Sequence, residues 1–420
     1  MQRLLSSRVL LRLLNIGIRG GTVLGRFMLI IFLAKFLPKS ELGKFGVFVA
    51  TVLLCVLLVS FEFNKYMYRE LFAHGEDVRA KILNTHLKAV FCLYLFSVPL
   101  IYTVFHFGLI STDYIFHFYA VLFLVLVSLE MEALLVVLGN QLPASFIFCT
   151  QTSLWVFFAI PVLYLFPEYR SLEFVYSSWI MGATLSIVVA LWFLRKNKVT
   201  ISSRGMGGEW VRKGFKKCAI FLLSSLMLKL LLTIDRYTME FHATPEMVGT
   251  YVFYVSVVMG VFNFLEPAVF SFVYPRLLRF HKEANHNGYE AAHKELIYST
   301  VIGVALLSFA LGYIVPQVIK LLGLHAYEHD LGSLWFVISA GAVYMLGFIP
   351  HYVLYSRGRF NWLSYANAAA LGAFLVAVSS LPFHSVISLV ACSLLTAFFV
   401  SGVVKLYAAY LLPYEYARNV

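Results

Sequence analysis

Two arginines stand seven residues apart in an otherwise apolar stretch, Arg19 and Arg26 within LLNIGIRGGTVLGRFMLIIFLAKFLP (Leu13–Pro38). Seven residues make about two helical turns, so both guanidinium groups lie on one face, roughly 10 Å apart. Lys229 and Arg236 repeat the spacing in CAIFLLSSLMLKLLLTIDRYTM. Cations on apolar helices ask for an anion, and the planar fork of arginine suits a phosphate because it makes two parallel hydrogen bonds. Each has a competing explanation. Arg19 is close enough to the inner surface to snorkel, and Arg236 can snorkel outward or pair with Asp235. Acids occupy the same apolar runs: Glu62, Glu130, Glu132, Asp235 and Glu266, which directly precedes Pro267. An acid in a low-dielectric cleft can carry a proton at neutral pH, so these are candidates for proton or ion coupling. They can equally neutralise the cations. Glu62 falls near an interface, and Glu130 and Glu132, two apart, face different sides.

The elements that position these groups are membrane spans. The chain is 61% hydrophobic and only 13% charged over 420 residues, which excludes a soluble domain. Apolar runs long enough to cross roughly 30 Å of hydrocarbon recur from end to end, and they are continuous, unlike the short alternating segments of a membrane β-barrel. About twelve spans are expected, near 13–34, 45–63, 84–106, 114–138, 145–166, 173–194, 217–239, 247–274, 294–319, 332–356, 361–381 and 385–411. In the first span Gly17, Gly21 and Gly25 form a stripe of small residues, expected to pack closely on a neighbour away from the arginines. A charge within hydrocarbon costs at least about 2.5–3.5 kcal/mol, so the arginines must face protein or water.

A net charge of +12 belongs to the loops. With the N-terminus inside, inner loops hold Arg3, Arg8, Arg12, Lys65, Arg69, Arg79, Lys81, Lys88 and the basic run Arg195–Lys217; outer loops hold only Lys35, Lys39, Lys44, Arg170 and Lys320. That asymmetry places both termini in the cytoplasm and explains the charge without a nucleic-acid partner. The N-terminal lead-in lacks an A-x-A cleavage site and is expected to be retained. The run with Gly205, Gly207 and Gly208 falls at the chain midpoint. It reads as a cytoplasmic linker, 195–216, between an N-terminal six-helix lobe, 1–194, and a C-terminal one, 217–420. A short repeat agrees: PKSELGKFGVF (Pro38–Phe48) and TPEMVGTYVFY (Thr244–Tyr254) align Gly43 with Gly249, Phe45 with Tyr251 and Phe48 with Tyr254. An even number of helices per lobe relates the two by a parallel pseudo-twofold along the membrane normal, around a central cationic cavity.

No cofactor is expected. Cys55, Cys92, Cys149, Cys218 and Cys392 form no CxxC, His106, His117, His242, His325, His329 and His384 form no metal-binding spacing, and there is no P-loop. No acid/base or nucleophilic constellation suggests an enzyme. Asn15, Gln141, Gln151, Asn263, Asn361 and Asn367 are placed either to bond sugar hydroxyls or to stitch helices together.

The pattern of a basic N-terminal helix, a glycine-rich first span, LAKFLPKSELGKFGVF, and FEFNKYMYREL at the inner end of the second span is similar to the polysaccharide transporter branch of the multidrug/oligosaccharidyl-lipid/polysaccharide exporter superfamily. Thr233–Phe253, TIDRYTMEFHATPEMVGTYVF, resembles that branch's seventh span and following loop, with Asp235 and the Gly249–Tyr251 pattern. The resemblance implies an O-antigen (repeat-unit) flippase of a bacterial inner membrane. Such a protein moves an undecaprenyl-diphosphate-linked oligosaccharide from the cytoplasmic to the periplasmic leaflet by alternating access, driven by an ion gradient. The diphosphate would be held by Arg26, Lys229, Arg19 and Arg236. An O-antigen polymerase and a chain-length regulator are the implied protein partners. Competing readings are a lipid II flippase, which would have about fourteen spans, a multidrug exporter, whose cavity should favour cations, and a membrane enzyme such as an O-antigen polymerase, which should carry a large outer loop.

Overall fold

The computed structural model describes residues 2–382 and 385–412; His384 and the side chains of Arg3, Arg8 and Arg12 lie outside the described residues. Every regular element among them is helical. In hydrocarbon each backbone N–H and C=O must bond within its own segment, so long apolar runs fold as helices. Eleven helices are long and apolar enough to cross a membrane. A further pair, Gly208–Ala219 and Phe221–His242, meets at 44° and makes up to 12.

The chain divides into two compact units, Met1–Leu226 and Met227–Val420. The first contains α1 (Gln2–Phe36), α2 (Lys39–Ser60), α3 (Phe63–Ala73), α4 (Glu76–Ile101), α5 (Thr103–His106), α6 (Ile115–Val137), α7 (Gln141–Cys149), α8 (Val156–Leu165), α9 (Leu172–Lys196) and the start of α10 (Gly208–His242). The fifth span is continuous from α7 to α8 through a wider π-helical stretch, Thr150–Leu154. The division falls after the basic run, whereas the composition set 195–216 apart as a linker. Hydrogen bonds supply the reason. Ser202 N donates to Ala80 O (3.2 Å) and Met206 N to the Thr85 hydroxyl (2.6 Å), while the Trp210 indole donates to Glu70 (3.3 Å). The segment is therefore docked on α3 and the start of α4.

The second unit holds the rest of α10, then α11 (Pro245–Phe262), α12 (Ser271–Lys282), α13 (His286–Leu321), α14 (Leu331–Leu346), α15 (Phe348–Ser356), α16 (Phe360–Ser380) and α17 (Val386–Leu406). Proline sets the start of the second span in each unit. Pro38 sits in an extended conformation before α2, and Pro245 occupies the first turn of α11, capped by the Thr244 hydroxyl, which accepts from Met247 N at 3.4 Å. These two spans are the most enclosed of their units: in the most apolar 18-residue stretch of each, 72% of residues in Lys39–Ser60 and 67% in Pro245–Lys282 are buried, against 11% in Glu76–His106. The aligned aromatics Phe45, Phe48, Tyr251 and Tyr254 are all buried. Phe48 stacks on Tyr176 at 4.0 Å, and the Tyr254 hydroxyl donates to Tyr327 O. The repeat thus marks the spine of each unit.

Both spines break next to an acid. In the first unit Phe61 and Glu62 adopt the left-handed conformation in succession, φ 50° and 51°, ending α2 and starting α3. Each such residue without glycine's freedom costs on the order of 1–2 kcal/mol, so surrounding contacts must hold the kink. In the second unit α11 gives way at Glu266–Phe270 to a π-helical stretch, with Pro267 unable to donate to the helix ladder.

Candidate functional site

In the first unit α1 packs along α7 and α8. Arg19 Nε donates to the Ser145 hydroxyl at 3.1 Å, and the Arg26 guanidinium lies 5.4 Å above the Phe148 ring. Both arginines are exposed, and Arg26 has no hydrogen-bond partner among the described residues although protein crowds around it. The glycine stripe is not a separate packing face, as the sequence suggested. Gly25 meets the same neighbouring span, where a Cβ would come within 2.7 Å of Ser153 Cβ; Gly17 and Gly21 face open space. Close contact at one level therefore leaves the arginines at the margin of the α1–α7 seam. Glu132 is half-buried, and Arg19 is near enough for its charge to act on it.

In the second unit the seven-residue pair splits into two environments. Arg236 is engaged: its NH1 donates to both oxygens of Asp235 at 3.2 Å and to Leu232 O at 3.0 Å. Asp235 is 1% exposed and also accepts from the Tyr251 hydroxyl at 2.8 Å. A buried acid, a cation and a phenol thus tie α10 to α11. Lys229, half-buried, accepts through its backbone carbonyl from the Thr233 hydroxyl. Glu266 is exposed at the start of its π-helical stretch, within electrostatic reach of Tyr344 and Tyr352.

The remaining predicted acids, Glu130 and Glu62, have separate sets of partners in the first unit. Glu130 Oε2 lies 2.8 Å from His86 Nε2, and Glu130 Oε1 accepts a long bond, 3.4 Å, from the Asn64 amide. His86 and Glu130 are both buried, and Phe63 stacks on the His86 ring at 5.8 Å with planes 7° apart. Glu62, also buried, accepts from Lys65 (2.6 Å) and Ser225 (2.8 Å) on one oxygen, while Oε2 is buried with no partner among the described residues. His86 escaped the sequence reading. The signal available was a histidine at the start of the third apolar run, but its partner is 44 residues away. Of the run Thr150–Ser153, polar yet buried in the fifth span, the sequence reading picked out only Gln151. No group of His, Cys, Asp and Glu able to hold a metal ion exists among the described residues.

Residues 15–281 match the family described as polysaccharide biosynthesis protein. The chain belongs to this family. No curated protein matches the sequence. Among solved structures, an inward-facing multidrug resistance MATE family transporter of the MOP superfamily is similar with a TM-score of 0.75 at 12% identity, over 92% of this chain and 93% of that one. The lipid II flippase MurJ in its inward closed conformation gives 0.67 at 11% identity, over 94% and 87%. A MOP superfamily transporter from Pyrococcus furiosus, described as having a binding pocket of reversed polarity, gives 0.58 at 12% identity, over 96% and 93%. Similarity at that identity establishes the fold.

This member of the polysaccharide biosynthesis family is therefore a multi-pass membrane protein with the MOP transporter fold. Its intramembrane charges divide by what holds them. Arg236 and Asp235 satisfy one another, as do His86 and Glu130. Arg26 presents donors that no described residue uses, and guanidinium donors of this kind can bind anionic oxygens with two parallel hydrogen bonds.

Proposed function

We propose that this protein moves an undecaprenyl-diphosphate-linked oligosaccharide, an O-antigen or related repeat unit, from the cytoplasmic to the periplasmic leaflet of a bacterial inner membrane. It does so by alternating access, driven by an ion gradient. The observation that carries the reading is Arg26: an exposed guanidinium in a membrane span, stacked on Phe148 and with no hydrogen-bond partner among the described residues. A permanently charged, unsatisfied fork at that depth is tolerated where an anion comes to it. Arg19 keeps its terminal nitrogens for the same purpose, since among the described residues only its Nε is engaged, by Ser145. A diphosphate needs several cations, and Lys229 is the further contribution from α10. Arg236 serves chiefly as the counter-ion of Asp235. The family's association with polysaccharide biosynthesis and the fold shared with a lipid II flippase both support a lipid-linked sugar. A polymerase and a chain-length regulator are the protein partners this role implies.

The test is a leaflet-resolved assay of lipid-linked sugar in cells lacking any other flippase. R26A is expected to abolish appearance of the sugar in the periplasmic leaflet at unchanged protein level. R26K is expected to be partly active, because an ammonium keeps the charge and loses the fork. Normal transport by R26A would remove Arg26 from the substrate site.

A further inference from the structure

The His86–Glu130 pair is an unusual feature to find deep in a membrane protein. Its ring and carboxylate are 2.8 Å apart, both residues are more than nine-tenths buried, and His86 Nδ1 is buried with no partner among the described residues. The pair sits on the wall of a cavity of about 480 Å³ lined mainly by apolar side chains, among them Leu83, Val90, Phe123 and Leu126. Two ionisable groups in hydrogen-bond contact share protons as a unit. With one proton the pair is net neutral; without it the pair is a carboxylate facing a neutral imidazole, a net negative charge among mainly apolar side chains. The groups facing it are few. Tyr68 on α3 lies close by, its phenol pushed up by burial first and then by the charges of Glu130 and Glu132, so it remains a protonated donor. Arg195 of α9 lines the same cavity, and Lys65 is drawn away to Glu62. Lys217 of α10 is also turned elsewhere, over the Tyr66 ring.

The network is built onto the kink between α2 and α3. Phe63, the residue after the kink, stacks on His86, and Asn64 bonds Glu130. Glu62, within the kink, bonds Ser225 of α10, and Ser225 is one turn before Lys229 on that helix. Building on the transport reading above, we propose that the His86–Glu130 pair is the proton-binding site that couples the gradient to transport, and that the kink Phe61–Glu62 relays its charge state to α10. One proton from bulk water converts the anionic pair to the neutral one and returns to water when the pair is re-exposed. No covalent bond other than that to the proton changes. Two strained backbone residues, held by these contacts together with Phe215 against Phe61 and Cys218 on the Glu62 carbonyl, form an element able to adopt a second arrangement when the charge changes.

The experiment uses the full chain in liposomes with a fluorescent undecaprenyl-diphosphate oligosaccharide, flipping being measured with and without an imposed pH gradient. The wild type is expected to flip faster with the gradient. In E130Q that acceleration is lost, so the two rates become equal; H86Q, which keeps a hydrogen-bonding group against Glu130 but cannot ionise, shows the same loss. Either variant responding to the gradient as the wild type does overturns the proposal. Infrared difference spectra between acid and alkaline buffer supply a measure independent of transport. A carboxylic-acid band in the wild type must shift in H86Q and vanish in E130Q. If a folded wild type flips nothing under any condition, the transport reading fails while the infrared band still tests the proton site. An unchanged band in E130Q sinks the site whatever the flipping shows.

Discussion

At the scale of single residues, the intramembrane cations are of two kinds, and their contacts distinguish them. Arg236 is part of a structural triad with Asp235 and Tyr251. Arg26 has an aromatic face beneath it and no hydrogen-bond partner among the described residues. Removing a hydrogen bond to a charged, buried group costs about 1.5–3 kcal/mol. Y251F should therefore lower the thermal unfolding midpoint of the detergent-solubilised protein. D235A should lower it further, because losing one partner of a buried pair costs about 3–5 kcal/mol, less here since Arg236 keeps some access to solvent. R26A should leave the midpoint where it is. An unfolding midpoint in Y251F equal to the wild type's would mean that the triad contributes nothing to the fold. The adjacency of Asp235 and Arg236 made their pairing visible in the sequence. Tyr251 appeared there only as a repeat-matched aromatic, since nothing local says that its hydroxyl reaches back across 16 residues.

At the scale of elements, broken helices explain most of what the sequence concealed. The kink beside Glu266 was legible because Pro267 announces it. The kink at Phe61–Glu62 was not, because neither residue type favours a left-handed backbone and only tertiary contacts hold it there. Helix seams show the same contrast. The spacing of Gly17, Gly21 and Gly25 suggested a contact stripe, yet only Gly25 is pressed against a neighbour. Gly182 of α9, which no periodicity singled out, lies directly under Trp155, where a Cβ would approach ring and chain atoms to 2.5 Å. Trp155 in turn stacks with Trp179 at 6.4 Å, so the ring cannot retreat freely. Overpacking of this sort costs typically about 1–3 kcal/mol. G182A is expected to reduce thermal stability by that order, whereas G17A, with open space around it, is expected to be neutral. Equal midpoints for the two variants would show that α9 can slide on the fifth span without penalty.

For the whole molecule, the apolar runs sufficed to show an all-helical, multi-pass protein, because the bilayer leaves the backbone almost no alternative. The repeat in Pro38–Phe48 and Thr244–Tyr254 pointed to the most enclosed span of each unit for a related reason: bulky aromatics at matched positions must be buried in both. The basic segment was harder to place, since glycines and charges look alike in a free tether and in a docked one. Its hydrogen bonds to Ala80, Thr85 and Glu70 anchor it to the same ends of α3 and α4 that carry Lys65, Arg69, Arg79 and Lys81. Its position in turn governs orientation. Basic loops stay in the cytoplasm, so Lys198 and Asn197 should lie inside, and the short loop around Glu168, after α8, should lie in the periplasm. The native cysteines are all unpaired and Cys92 is exposed, so labelling needs a background with all of them replaced. In that background a single cysteine at Lys198 should resist a membrane-impermeant maleimide in intact spheroplasts and react once the membrane is opened, and one at Glu168 should react in both. The reverse pattern would invert the whole protein and make the cytoplasm-to-periplasm direction untenable. Labelling of both positions from the same face would instead require an even number of spans between α8 and α10, against the single long helix, α9, that joins them.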